Sequence, residues 1–144
     1  MKLITRDADY AIRALCYILA QKKDCIAVTE LVKELGIPRP FLRKVLQKLQ
    51  NARLLKSRKG KSGGFFKTDA TGQLSVAEVL EVFQGNLSLN QCSFKKRPCP
   101  YILRCGLRKR IIKLERRSIA ELKQITLKSL LKQSPWIKQR QRGS

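Results

Sequence analysis

Cys92, Cys99 and Cys105 form a Cys-x6-Cys-x5-Cys group in a chain with no histidine. Thiolates that close together can hold a soft metal such as iron or zinc. They can also act without metal, as a thiol–disulfide sensor. The surrounding chain is strongly cationic, with 32 Lys+Arg against 10 Asp+Glu and a formal net charge of +22. Self-repulsion on that scale is offset by a polyanion, which points to nucleic acid. The basic residues are spread along the chain: Arg39, Arg43, Lys44 and Lys48, then Lys56, Arg58, Lys59 and Lys61, then Lys95 to Arg97, and again from Arg108 onward.

The elements that position these groups must come from 144 residues, enough for one compact domain with or without a helical arm. A hydrophobic content of 43% supplies a core and argues against wholesale disorder. No apolar run approaches the ~20 residues of a membrane span. The acids in MKLITRDADYAIRAL interrupt what a secretory signal would keep apolar. A cytoplasmic protein is expected, in which 5 cysteines serve as ligands or free thiols rather than disulfides. An enzyme has little support, since there is no histidine, nucleophile elbow, P-loop or paired carboxylate set.

Asp9 to Lys23 reads as an amphipathic helix, with Ala11, Ala14, Leu15, Ile18 and Leu19 on one face. A loop around Asp24 and Cys25 follows, then a helix capped by Thr29 and ended by Gly36. After the turn Ile37-Pro38-Arg39-Pro40, the residues Phe41, Leu42, Val45, Leu46 and Leu49 define a third helix to about Asn51. Two short helices joined by a glycine turn, the second exposing basic residues at its start, make a helix-turn-helix. Strands at Leu54–Ser57 and Gly64–Lys67 around a glycine-rich cationic loop read as a wing. Ser75 caps a helix from Val76 to Phe83, closed by Gly85. Pro98 and Pro100 place Cys99 in an irregular loop. Leu103, Leu107, Ile111, Leu114, Ser118, Leu122 and Ile125 then form a narrow apolar stripe, as on a helix packed against a partner. Thr126 caps a last short helix.

The chain resembles the IscR/NsrR/RirA (Rrf-two) family of winged helix-turn-helix transcription factors from Met1 to about Leu131. The resemblance rests on Tyr10 to Leu15, on Ile37 to Leu42, on the wing Ser57 to Phe65, on the three cysteines and on Ile125 to Leu127, in that order. It implies a mainly α fold with a small β-wing, a winged helix-turn-helix domain followed by a long C-terminal dimerisation helix. The expected parts are a DNA-binding domain (1–85), a cysteine-rich cluster loop (86–105), dimerisation helices (106–133) and a mobile basic tail (134–144). It further implies a homodimer, and the expected function is that of a transcriptional regulator, a repressor rather than an activator, on a palindromic double-stranded operator. Pro38, Arg39, Pro40, Arg43 and Lys44 would face the major groove, with Arg58, Lys59 and Lys61 on the wing and the two lysines carrying it into a minor groove. The cysteine loop would hold an iron–sulfur cluster.

IscR-like relatives take their fourth ligand from a histidine three residues after the last cysteine; here that position is Arg108, so such a centre is excluded. NsrR-like relatives resemble this chain in an aspartate at the position of Asp9, donated by the partner subunit. Asp9 as ligand competes with Asp9 as an ordinary helix cap, and Asp7 or water could also serve. Three cysteines plus Asp9 lean toward a 4Fe-4S rather than a 2Fe-2S cluster. Zinc is less well served, because structural zinc prefers paired Cys-x2-4-Cys spacings and a fourth Cys or His. A cluster-free thiol regulator stays open, since Lys95, Lys96, Arg97 and Arg104 favour thiolates. A nonspecific nucleic-acid-binding protein also stays open on charge alone. Cys16 reads as a small buried side chain, Cys25 as incidental, and Trp136 with Lys138, Arg140 and Arg142 as peripheral.

Overall fold

The computed structural model describes residues 3–89 and 99–133. The chain begins with α1 (Arg6–Ala20), three residues earlier than the apolar periodicity predicts. The Thr5 hydroxyl accepts the Ala8 amide and opens the helix there, and Asp7 and Asp9 favour its N-terminal dipole. α1 stops at Ala20 because Gln21 turns extended, its carbonyl taken by the Lys67 ammonium at 2.9 Å. Ala11, Ala14, Leu15 and Ile18 are fully buried, so α1 is the spine of the core.

The expected loop at Cys25 contains a strand, β1 (Cys25–Ile26), whose Ile26 is buried. α2 (Val28–Leu35) starts with Ala27 as its cap residue, so Thr29 lies inside the first turn instead of capping it. Gly36 adopts φ 64° and its amide closes on the Val32 carbonyl, a left-handed ending that favours glycine. α3 (Arg39–Asn51) then begins with Pro38 as cap and Pro40 in its first turn. Its end is a Schellman turn: Leu54 N–H bonds the Leu49 carbonyl and Arg53 N–H the Gln50 carbonyl. Arg53 takes the left-handed position that glycine usually fills, at φ 61°.

β2 (Lys56–Arg58) and β3 (Gly64–Phe66) form the wing hairpin, with Ser57 opposite Phe65. β1 pairs antiparallel with the other edge of β3, giving the order β1-β3-β2. A one-turn 3-10 helix at Thr71–Gln73 leads to α4 (Val76–Gln84). The first turn of α4 carries a full capping box. Glu78 N–H donates to Ser75 Oγ, while Ser75 N–H donates to Glu78 Oε2 at 2.7 Å. These bonds, led by the one from the Ser75 backbone, hold the Glu78 carboxyl below its ordinary value of 4.5. A depressed folded-state value means the contribution is present above the unfolded carboxylate range and is lost as pH falls through the folded value. Glu78→Gln should therefore flatten the acid side of a stability–pH curve, and Ser75→Ala should cost about 1 kcal/mol in denaturant titration.

α5 (Gly106–Gln124) contains no buried residue, whereas α6 (Leu127–Gln133) sends Leu127 fully into the core against α1. Two backbone bonds tie the α5–α6 junction to the start of α4: Val76 N–H to the Ile125 carbonyl and Leu127 N–H to the Leu74 carbonyl. Leu122 and Ile125 pack against Ala8, Val76 and Leu80. No helix among the described residues is long and apolar enough to cross a membrane.

Candidate nucleic-acid interface and cysteine turn

α3 buries Leu42, Val45, Leu46 and Leu49, and this forces its polar residues outward. Arg39, Arg43, Gln47 and Gln50 follow one another at four, four and three residues and so share one side of the helix. That side faces the wing across a groove of about 490 Å³. Arg39 and Arg43 meet Arg58, Lys59 and Lys61 there, and none of its lining residues is acidic. Of the other residues expected at DNA, Pro38, Pro40 and Lys44 lie exposed on or beside α3 but outside this groove. Thr29, Gln47, Gln50 and Ser57 also line it, although none of them is expected at DNA from the sequence. The helical spacing from Arg43 could have found the two glutamines. Phe41, expected in the core set of α3, is 49% exposed. Lys48 is turned away from the groove and sits over the Phe83 ring of α4 at 5.0 Å from its centroid.

The wing is built for close backbone approach. Gly63 N–H closes a turn on the Gly60 carbonyl at 3.0 Å, and Gly60 stands at φ 111°. A Cβ on Gly63 would collide with the Arg58 carbonyl, and one on Gly64 with the Ile26 carbonyl. Both obstacles are backbone, so strands would have to part. Gly64→Ala should therefore destabilise the fold by about 1–3 kcal/mol, read as a lowered melting temperature. Cys25, thought incidental, lies on β1 with its thiol donating to the Ser62 carbonyl of the wing loop at 3.6 Å.

The cysteines divide. Cys92, with Lys95, Lys96 and Arg97, lies outside the described residues, as do Trp136 and the basic tail. Cys99 and Cys105 are free, half-exposed thiols bracketing two successive turns: Ile102 N–H bonds the Cys99 carbonyl and Arg104 N–H the Tyr101 carbonyl. Cys105 is the cap of α5, its Sγ accepting the Arg108 amide at 3.4 Å. That cap explains why α5 starts at Gly106 and leaves Leu103 outside the helix. Asp9 is not a cap, since Thr5 fills that place; its carboxylate pairs with Arg13 at 2.9 Å one turn on. Among the described residues no three His, Cys, Asp or Glu side chains converge. In donor chemistry, two accessible soft thiols on a turn fit iron–sulfur ligation. Cys16 does not: burial pushes its thiol up to about 11, which keeps it protonated and inert.

Comparison with known proteins agrees with this architecture. A family described as Rrf2, iron-dependent transcriptional regulator, matches residues 4–133. The transcriptional repressor NsrR of Streptomyces coelicolor is 25% identical over 130 residues, 89% of this chain and 87% of that protein. The structure of CymR, the global cysteine regulator of B. subtilis, superposes with a TM-score of 0.73 at 17% identity, covering 93% of this chain and 99% of that one. T. potens IscR gives 0.70 at 21% identity, over 92% and 88% of the two chains. The mainly helical fold with its small three-stranded sheet is thus that of winged-helix regulators, and the family consists of regulators rather than enzymes. The chain belongs to the Rrf2 family of transcriptional regulators.

Proposed function

We propose that this regulator binds a palindromic double-stranded operator as a homodimer, and that an iron–sulfur cluster on its cysteine loop controls the grip. The observation that carries the DNA reading is the acid-free groove in which Arg39 and Arg43 of α3 face Arg58, Lys59 and Lys61 of the wing. Arginine can bond a guanine edge through two N–H groups, while lysine neutralises phosphate. Pro38, Pro40 and Lys44 border the same face of the helix start. Two such faces related by a twofold would read half-sites ~10 bp or a multiple apart. The dimer reading is supported by the N-terminal part of α5, which leaves Leu107 68% and Leu114 54% exposed, whereas Leu122 near its end packs within the chain.

Cys92, Cys99 and Cys105 would hold the cluster, with Asp9 of the partner subunit as fourth donor; three thiolates and a carboxylate match a 4Fe-4S cluster. A bound cluster would supply a labile, redox-responsive centre. Cys105 orients its sulfur through the Arg108 amide, and Arg13 orients the Asp9 carboxylate. A tenfold change in operator affinity requires a coupling of only about 1.4 kcal/mol. A second reading, cluster-free thiol control, is favoured by the half-exposed free thiol of Cys105 at the mouth of α5. Anaerobic purification with an absorption spectrum and iron and sulfide analysis separates the two: brown protein with sulfide supports the cluster, and colourless protein without it favours the thiol. Footprinting that protects one short palindrome supports a specific operator, and smooth coverage of any duplex removes it.

A further inference from the structure

We infer that Glu115 is the positioning residue through which the state of the cysteine loop reaches the recognition helix. This rests on the reading of the loop as sensor. α5 carries seven basic residues and two acids, Glu115 and Glu121. Instead of an ion pair along its own helix, Glu115 Oε2 accepts the Leu89 amide at 2.8 Å and the Ser88 hydroxyl at 3.2 Å. Leu89 is the last described residue before the segment that carries Cys92. The carboxylate thus fastens the head of the cysteine loop to α5 ten residues past Cys105, about 15 Å along the helix.

The same carboxylate lines a small cavity together with Gln84 and Leu3. Gln84, in the last turn of α4, accepts the Thr5 amide at 2.8 Å and donates to the Leu3 carbonyl at 3.1 Å. It therefore holds the lead-in to α1, whose first turn bears Asp9. Its neighbour Phe83 carries Lys48 of α3 on its ring. The end of α4 is therefore tied to the recognition helix, to the segment before Asp9 and, through residues 87–89, to Glu115. Moving Ser88 and Leu89 pulls on all three ties. Holding them fixed locks the groove geometry to the loop.

The test is a double-mutant cycle on the full chain: wild type, Glu115→Ala, the triple serine variant of Cys92, Cys99 and Cys105, and the combination. Operator affinity and amide exchange at residues 86–89 are read for each. We expect the triple variant to change wild-type affinity about tenfold but the Glu115→Ala background less than twofold. Exchange at Leu89 should rise at least tenfold in Glu115→Ala, and Glu115→Gln, which keeps an acceptor oxygen, should restore most of the coupling. Additive effects on affinity, or unchanged exchange at Leu89, overturn the role of Glu115 alone. A triple variant with wild-type operator affinity removes the sensor reading, and this inference with it.

Discussion

Arg43→Ala should lower affinity for the specific operator by roughly 10- to 100-fold, about 1–3 kcal/mol, while leaving binding to random duplex nearly unchanged. The reason is position. Arg43 stands one turn inside α3 on the side that faces the wing, where a rigid guanidinium fork can meet a base edge. Lys61 sits exposed in the wing loop, where the proposed interface would give it a phosphate to neutralise. Lys61→Ala should weaken all duplexes alike and reduce the slope of log affinity against log salt by about one contact. Fluorescence anisotropy against a specific and a scrambled duplex at several salt concentrations measures both. Equal losses on the two duplexes for Arg43→Ala would sink the assignment of that residue to base reading.

The second large effect concerns the thiols. Changing Cys92, Cys99 and Cys105 together to serine should abolish iron and sulfide content and remove a switch of about tenfold in operator affinity. Cys16→Ser should leave metal content alone, because that thiol is buried in the core and holds its proton. Metal analysis and the same anisotropy assay read both variants. Retention of sulfide by the triple variant, or a stimulus response equal to that of the wild type, would refute the proposed centre.

Much of this architecture was legible from residue order. The periodicity of Leu42, Val45, Leu46 and Leu49 and the proline pair fixed α3, and the glycine-rich loop marked the wing. Ser75 and Gly85 bounded α4 as expected. What escaped has physical reasons. β1 is two residues long, too short to show alternation, and exists only because β3 offers it an edge. α1 begins at a threonine cap lying before the first apolar repeat. The stripe on α5 looked like one seam, but Leu122 and Ile125 cover Ala8, Val76 and Leu80 of the same chain, and only its N-terminal part stays bare. Periodicity says that a face is apolar and is silent on what covers it. Phe41 shows the same limit: an aromatic at helical spacing was counted as core and lies half in solvent. Contacts between residues far apart in the chain, such as Glu115 with Leu89 or Gln84 with Leu3, leave no local trace at all.

The placement of Leu127 has a consequence for how the molecule is made. This side chain, near the end of the described chain, fills the same interior as Leu15, Leu46 and Leu49, and removing a leucine from such a place typically costs 2–5 kcal/mol. During synthesis this part of the core would stay incomplete until α6 has emerged. By then the cysteines have already been translated. A chain cut short before α6 would lack Leu127, and its core should be less stable and more open to proteolysis.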